Sequence, residues 1–343
     1  HRDRVDPMLR SAVANSADGS AEKLHAALAL LPVDDAQTEY VIGQLPTCTV
    51  AEFPVVRDAI SPNSDLVESL WQVAADDQRP SEERFQAAAA LATYTPLDPR
   101  WKQIAPFIAQ HLTGVVSSVY FVTWMEHLRP AHASLSEPLA RSLSERSRSE
   151  KQLEATAFAL ADYLQDQPAK LVDATLLVDA PNEFATLIGA LRPYADQVKP
   201  RLLNTLQASP PNDANANRRD AKWKRLSLAA VALIELGHAE DSWPLLAMTP
   251  DPSLRSYIVY HLGKLRVDVQ RRAALLESTD DAAIRQALIE SFGSQERSSM
   301  TPLDQQRLVQ KMKELYAEDT DPGVHASALW LSLIHISEPT RLQ

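Results

Sequence analysis

Trp223 stands among five cations, Arg218, Arg219, Lys222, Lys224 and Arg225, within one short stretch of the chain. Cations at that density can grip phosphates or carboxylates while the indole stacks on a base or packs against a partner. The same residues can equally open a helix whose Lys and Arg stems lie over apolar surface, with Trp223 buried in a groove. Glu126, His127 and His132, in Trp124-Met-Glu-His-Leu-Arg-Pro-Ala-His132, invite a metal reading. A zinc-protease helix needs two His four apart with Glu between them, so that both imidazoles share a face. Here the His are five apart with Pro130 between them, which points to structural or surface roles. Arg255 and Arg285 share a local pattern in which a guanidinium can reach carbonyls or an Asp of a neighbouring segment, a structural role.

Several chemistries lack their residues. The chain has 8 Gly and 23 Pro, and its two nearest glycines, Gly19 and Gly43, are far apart, whereas a phosphate-cradling loop needs several glycines together. No Gly-x-Ser-x-Gly elbow occurs. Cys48 is the single cysteine, so neither an internal disulfide nor a thiolate cluster can form, and the compartment stays open. With 34 basic and 45 acidic residues the net charge is -11, which argues against a primary role on nucleic acid or an anionic membrane but leaves room for a local basic patch. Apolar runs such as Leu228 to Ile234 fall far short of the roughly 18 residues that span a bilayer. No catalytic, cofactor-binding or metal-binding residue is assigned; the partner-binding candidates are Arg218, Arg219, Lys222, Trp223, Lys224 and Arg225.

The elements that must position these residues are helices. Leu153, Ala157, Leu160, Ala161 and Leu164 form one apolar stripe, and Phe85, Ala88, Ala89 and Ala92 another. Strand alternation is absent. Asp-Pro at Asp6, Asp98, Asp251 and Asp321 predicts helix starts. Gly237, Gly263 and Gly293 suit the left-handed residue that ends a helix. Helices are expected near 20–31, 50–60, 64–76, 81–93, 98–113, 115–128, 150–165, 167–177, 181–192, 195–208, 219–236, 239–247, 252–262, 267–276, 281–292, 302–317 and 321–330. Asp251 to Gly263 returns as Asp281 to Gly293, and its opening again at Asp321: Leu254 falls on Ile284 and Val324, Arg255 on Arg285, Ile258 on Leu288, Leu262 on Phe292 and Gly263 on Gly293. An internal repeat of this size, built from helices, predicts an all-α fold, an α-solenoid of HEAT-like helix pairs in a right-handed superhelix. The expected organisation is an N-terminal helical-repeat block at 1–207, an exposed Pro/Asn loop at 208–217 and a C-terminal HEAT-like block at 218–330.

Residues 331–343 form a separate tail. Leu331 to Arg341 resembles a translated sequencing adapter, so the reading frame is expected to have been cut here, and His335 to carry no function. The absence of an initiator Met at His1 suggests a cut edge there too. His1-Arg2-Asp3 matches the start of a protein-kinase catalytic loop, but the following Lys and Asn positions hold Val5 and Met8, and no Asp-Phe-Gly follows, so the tripeptide is coincidental.

Glu83 to Trp101, Trp124 to Pro130, Leu153 to Leu206, Trp243-Pro-Leu-Leu, Asp251 to Tyr257, Ile284 to Leu288 and Leu315 to Trp330 together resemble the helical region of large multidomain bacterial serine/threonine protein kinases. In such proteins a kinase domain precedes this region, and a domain similar to formylglycine-generating, sulfatase-modifying enzymes often follows it. The resemblance carries over no catalytic residue. It implies a non-catalytic protein-interaction or spacer segment, truncated at both ends, whose partners are another protein or adjacent domains of a cytoplasmic or membrane-anchored parent. The rival expectation is a HEAT-like DNA-base glycosylase or nucleic-acid-binding solenoid, for which the Trp223 cluster speaks and the net charge of -11 against.

Overall fold

In the computed structural model, residues 2–145, 147–207 and 215–335 are described; most of the 208–217 loop and residues 336–343 of the tail lie outside them. The fold is all-α, with no strand among the described residues. It divides into two compact units, His1–Ser142 with Ser147–Ala159, and Leu143–Arg146 with Leu160–Gln343.

The first unit contains α1 (Arg2–Asn15), α2 (Ala21–Leu30), α3 (Thr38–Gln44), α4 (Phe53–Ala59), α5 (Ser64–Ala75), α6 (Ser81–Tyr94), α7 (Trp101–Thr113), α8 (Ser118–Leu128) and α9 (His132–Ser142), and α10 (Glu150–Tyr163) begins in it. Oxygen side chains start several of these helices: Ser20 accepts from the Lys23 amide and Asn63 from that of Leu66 at 2.8 Å. Buried from Phe85 to Ala92 on every side, α6 is the core helix, and the four alanines from Ala87 to Ala90 let α5, α7 and α8 close in on it. Phe85 and Phe53 meet the Trp124 ring edge-on, with centroids 5.2 and 5.0 Å away, and Trp71 meets Trp101 at 5.6 Å.

The second unit contains α11 (Pro168–Thr175), α12 (Pro181–Leu191), α13 (Ala195–Leu206), α14 (Ala216–Glu235), α15 (Ser253–Lys264), α16 (Val269–Ser278), α17 (Ala282–Gly293), α18 (Pro302–Glu318) and α19 (Pro322–His335). Here α14 touches α15, α15 touches α17, and α17 touches α19, while α16 touches α18. The repeat seen in the sequence is thus α15–α16 followed by α17–α18. Its first helices are both 12 residues long, whereas the second grows from 10 to 17, so the added length is taken up by the second helix and its connections. Repeat-equivalent side chains make the joints. Arg255 donates to the carbonyls of Leu246 (3.0 Å) and Ala283 (3.2 Å), Arg285 to Asp319 (3.3 Å), and His325, at the matching place, meets the Asp319 carbonyl. Fully buried Arg272 ties α16 to α17 through the Ser291 hydroxyl (3.1 Å) and the Gln295 amide oxygen, with its guanidinium 4.3 Å above the Phe292 ring. Burial lowers its pKa to about 9, so it still carries its charge at neutral pH.

Several expectations change. Gly237 does end its helix with φ +93°, but Gly263 and Gly293 lie within α15 and α17 with no positive φ. A Cβ at Gly263 would run into the Ser291 carbonyl and Ser294, and one at Gly293 into the Trp330 ring. After α15 the left-handed residue is Arg266, at φ 56°. Pro7 sits inside α1, so Asp6-Pro7 is not a helix start; Asp251 and Asp321 do accept amides of the first turn, from Ser253 at 2.9 Å and Gly323 at 2.9 Å. The 239–247 segment forms two short 3-10 turns, Ala239–Asp241 and Trp243–Leu246, because Pro244 supplies no amide and the run is too short to continue. Unforeseen are α1, α3 and α9; α1 buries no residue and α9 has Pro138 inside it, so neither signals itself by pattern.

Candidate functional site

The Asn215 side-chain oxygen accepts the amides of Asn217 (3.0 Å) and Arg218 (3.3 Å) and starts α14. The helix then passes from solvent into the core within its own length. Ala216 to Lys222 are exposed, Trp223, Lys224 and Arg225 are half-buried, and Leu226 to Ile234 are buried.

Carboxylates from earlier in the unit meet the boundary residues. Lys224 Nζ lies 2.5 Å from Asp179 Oδ2, and Lys264 of α15 approaches the same oxygen at 3.4 Å. Arg225 meets Asp173 Oδ1 at 3.2 Å, and Arg201 of α13 takes Oδ2 at 2.6 Å. Burial raises the Asp179 pKa, but the hydrogen bond and charge of Lys224, joined by Lys264, outweigh it and hold the carboxyl below its ordinary value. Two carboxylates are shared by four cations, and Arg218, Arg219 and Lys222 extend the cationic surface along the exposed turns. Asp220 on that surface accepts from the Tyr257 hydroxyl, which raises the phenol's pKa. These half-exposed pairs contribute at most about 1 kcal/mol each to stability.

Beneath the patch, His261 Nδ1 lies 2.7 Å from Ser227 Oγ, a pair that could suggest a nucleophile and its base. Burial argues against that role, and the Lys224 carbonyl, 2.8 Å from the Ser227 hydroxyl, competes with the imidazole for its one proton. Both side chains are sealed from solvent, and burial drives the His261 pKa to about 4.

The other candidates are not brought together. His127 is half-buried against Phe53 and Trp124 with Arg57 3.2 Å from Nδ1; burial and then the Arg57 charge lower its pKa. His132 faces the Arg129 carbonyl at 2.9 Å, Glu126 is exposed, and the three are not gathered into a ligand set. Asp3 is exposed on α1, and His1 lies outside the described residues. His238, Glu240 and Asp241 do come close enough to hold an ion. Lys199 already fills that position, with Nζ 2.7 Å from Asp241 and 3.5 Å from Glu240, and its pKa rises through the hydrogen bond to Asp241.

Of the site's members, Asp173, Asp179, Arg201 and Lys264 are missed by sequence reasoning. Asp179 is 45 residues and Asp173 52 residues from its partner on α14, and no local motif links them. No helix among the described residues is long and apolar enough to cross a membrane. No family model matches the chain, and no curated protein matches it significantly.

Proposed function

We propose that this chain is a non-catalytic helical-repeat segment, an α-solenoid of HEAT-like pairs, which binds an acidic region of a protein partner or adjacent domain through the first turns of α14. On this reading it serves as an interaction and spacer segment of a serine/threonine kinase-type signalling protein, which the resemblance of its sequence to the helical region of such proteins supports. The observation that carries the binding role is the sharing of Asp173 and Asp179 by Arg201, Arg225, Lys224 and Lys264 beside exposed Arg218, Arg219 and Lys222. The succession of α14, α15, α17 and α19, each touching the next, supports the repeat architecture.

The second reading, a nucleic-acid-binding solenoid or base glycosylase, is favoured by Trp223 standing half-buried among the same cations. Titrating the purified chain with poly-glutamate and with a short DNA duplex separates the two. The protein reading expects saturable, salt-sensitive binding of poly-glutamate, weakened by roughly tenfold or more when Arg218→Glu and Lys222→Glu are combined. Tighter binding of the duplex, or release of a damaged base, transfers the assignment to the rival; binding of neither polymer removes the α14 surface as a docking site.

A further inference from the structure

In the first unit, the start of α6, the body of α7 and the start of α8 enclose a groove of about 800 Å³. That volume lies in the range that takes a small ligand or a few side chains of a peptide. Phe107 and His111 come from α7, Tyr120 and Trp124 from α8, Val116 from the connection between them, and Glu82 from the first turn of α6. Val116 is 100% exposed and Tyr120 52%, so two apolar side chains at the rim are left in water, and Val119 beside them is 69% exposed.

The groove's own lining is acidic, with one cation, Arg84, standing behind it against Phe107. Among the described residues that line it there is no Lys or Arg, and its one carboxylate is Glu82, 69% exposed. Glu82 Oε2 lies 3.0 Å from His111 Nε2. Burial between Phe85 and Phe107 lowers the His111 pKa, against the pull of Glu82, so near neutral pH the ring is an uncharged donor that fixes the carboxylate without cancelling its charge. The unit also shows how its aromatic walls meet cations. The Arg84 guanidinium sits 4.0 Å from the Phe107 ring centre, and that of Arg100 4.6 Å from the Trp71 ring.

We infer that this groove binds an arginine or lysine side chain, flanked by apolar residues, from an extended segment of a protein partner, with the charge on Glu82 and the stem and neighbours against the exposed Tyr120 and Val116. An anionic ligand would meet the charge on Glu82, and a purely apolar one would strip water from that carboxylate without adding a hydrogen bond to the one His111 gives it. The site differs in place and in sign from the α14 surface and does not depend on it.

The test titrates the whole chain with three blocked tetrapeptides, Leu-Arg-Leu-Gly and its versions with Gln or Glu for Arg, and with tetramethylammonium. The readout is the indole N–H resonance of Trp124, which lines the groove. The arginine peptide is expected to shift it saturably below a concentration on the order of 10 mM, with the Gln and Glu peptides weaker by about fivefold or more. Glu82→Gln and Tyr120→Ala, both at exposed positions, should each weaken the arginine peptide by about fivefold at an unchanged circular-dichroism helix signal. Equal responses to the three peptides, indifference to Glu82→Gln, no saturable shift, or tetramethylammonium binding as tightly as the arginine peptide would each overturn the inference.

Discussion

His261 couples the packing of one side chain to pH. It is 1% exposed, and burial lowers its pKa from an ordinary 6.5 to about 4. The unfolded chain therefore takes up the proton first, and stability falls as pH drops from about 6.5 towards 4, by about 3 kcal/mol in total. His111 and His127, also lowered by burial, act in the same direction. Carboxylates held below their ordinary values, such as Asp179 and Asp98, lose their contribution only in more acid solution, so the window above pH 4.5 belongs to histidine. Thermal midpoints measured from pH 7 to 4.5 should fall in the wild type. His261→Asn, which keeps a hydrogen-bonding group near the Nδ1 position for Ser227, should flatten that slope, and an unchanged slope would reassign the acid sensitivity. At this scale the sequence reveals what repeats and hides what does not. Arg255 and Arg285 stand out because their segments align, and the structure gives both a joint to make; His261 carries no mark of its burial, and Asp173 and Asp179 none of their distant partners.

Helices are legible where an apolar stripe or an oxygen cap writes them, as with α6 behind Phe85 or α17 behind Asp281, whose side chain accepts from the Ala283 (2.8 Å) and Ile284 (3.1 Å) amides. They are less legible where nothing is buried, as in α1, whereas an internal proline hides α9 but not α7 or α13. Gly263 and Gly293 show a further limit, since one spelling can serve two purposes: a glycine near a helix end permits a left-handed turn, or it permits a close approach, and here it does the second. The two sites differ in what would have to move. A methyl at Gly263 meets the Ser291 carbonyl of α17 and Ser294 just after it, which only a backbone shift can relieve. At Gly293 it meets the outer edge of the Trp330 ring, a side chain 44% exposed that can swing away. Gly263→Ala should therefore cost about 2 kcal/mol or more and Gly293→Ala about 1 kcal/mol or less in denaturant titrations. Equal costs would mean that the α15–α17 spacing is softer than it looks.

For the molecule as a whole, the all-α class follows from periodicity alone, because no segment alternates as a strand would. The basic surface of α14 was only half legible: its cations are adjacent in the sequence, but the acids and cations that join them come from α11, its following turn, α13 and α15. In the second unit each helix of the succession α14, α15, α17, α19 touches its neighbours in that order, so a local weakness should spread by neighbour contacts and fade with distance. Hydrogen exchange on Gly263→Ala should show faster exchange across α14 to α17 and little change in α11 and α12; uniform acceleration through the unit would indicate one cooperative block. The joints at Arg255, Arg285 and His325 have a consequence for how such a chain can lengthen. Because each copy holds the side chain that clasps its neighbour, tandem duplication delivers a new segment with its fastening already included. Added length can then be taken up by the second helix of each pair, as α18 is longer than α16, while Asp319 is met from both sides, by Arg285 of one copy and His325 of the next.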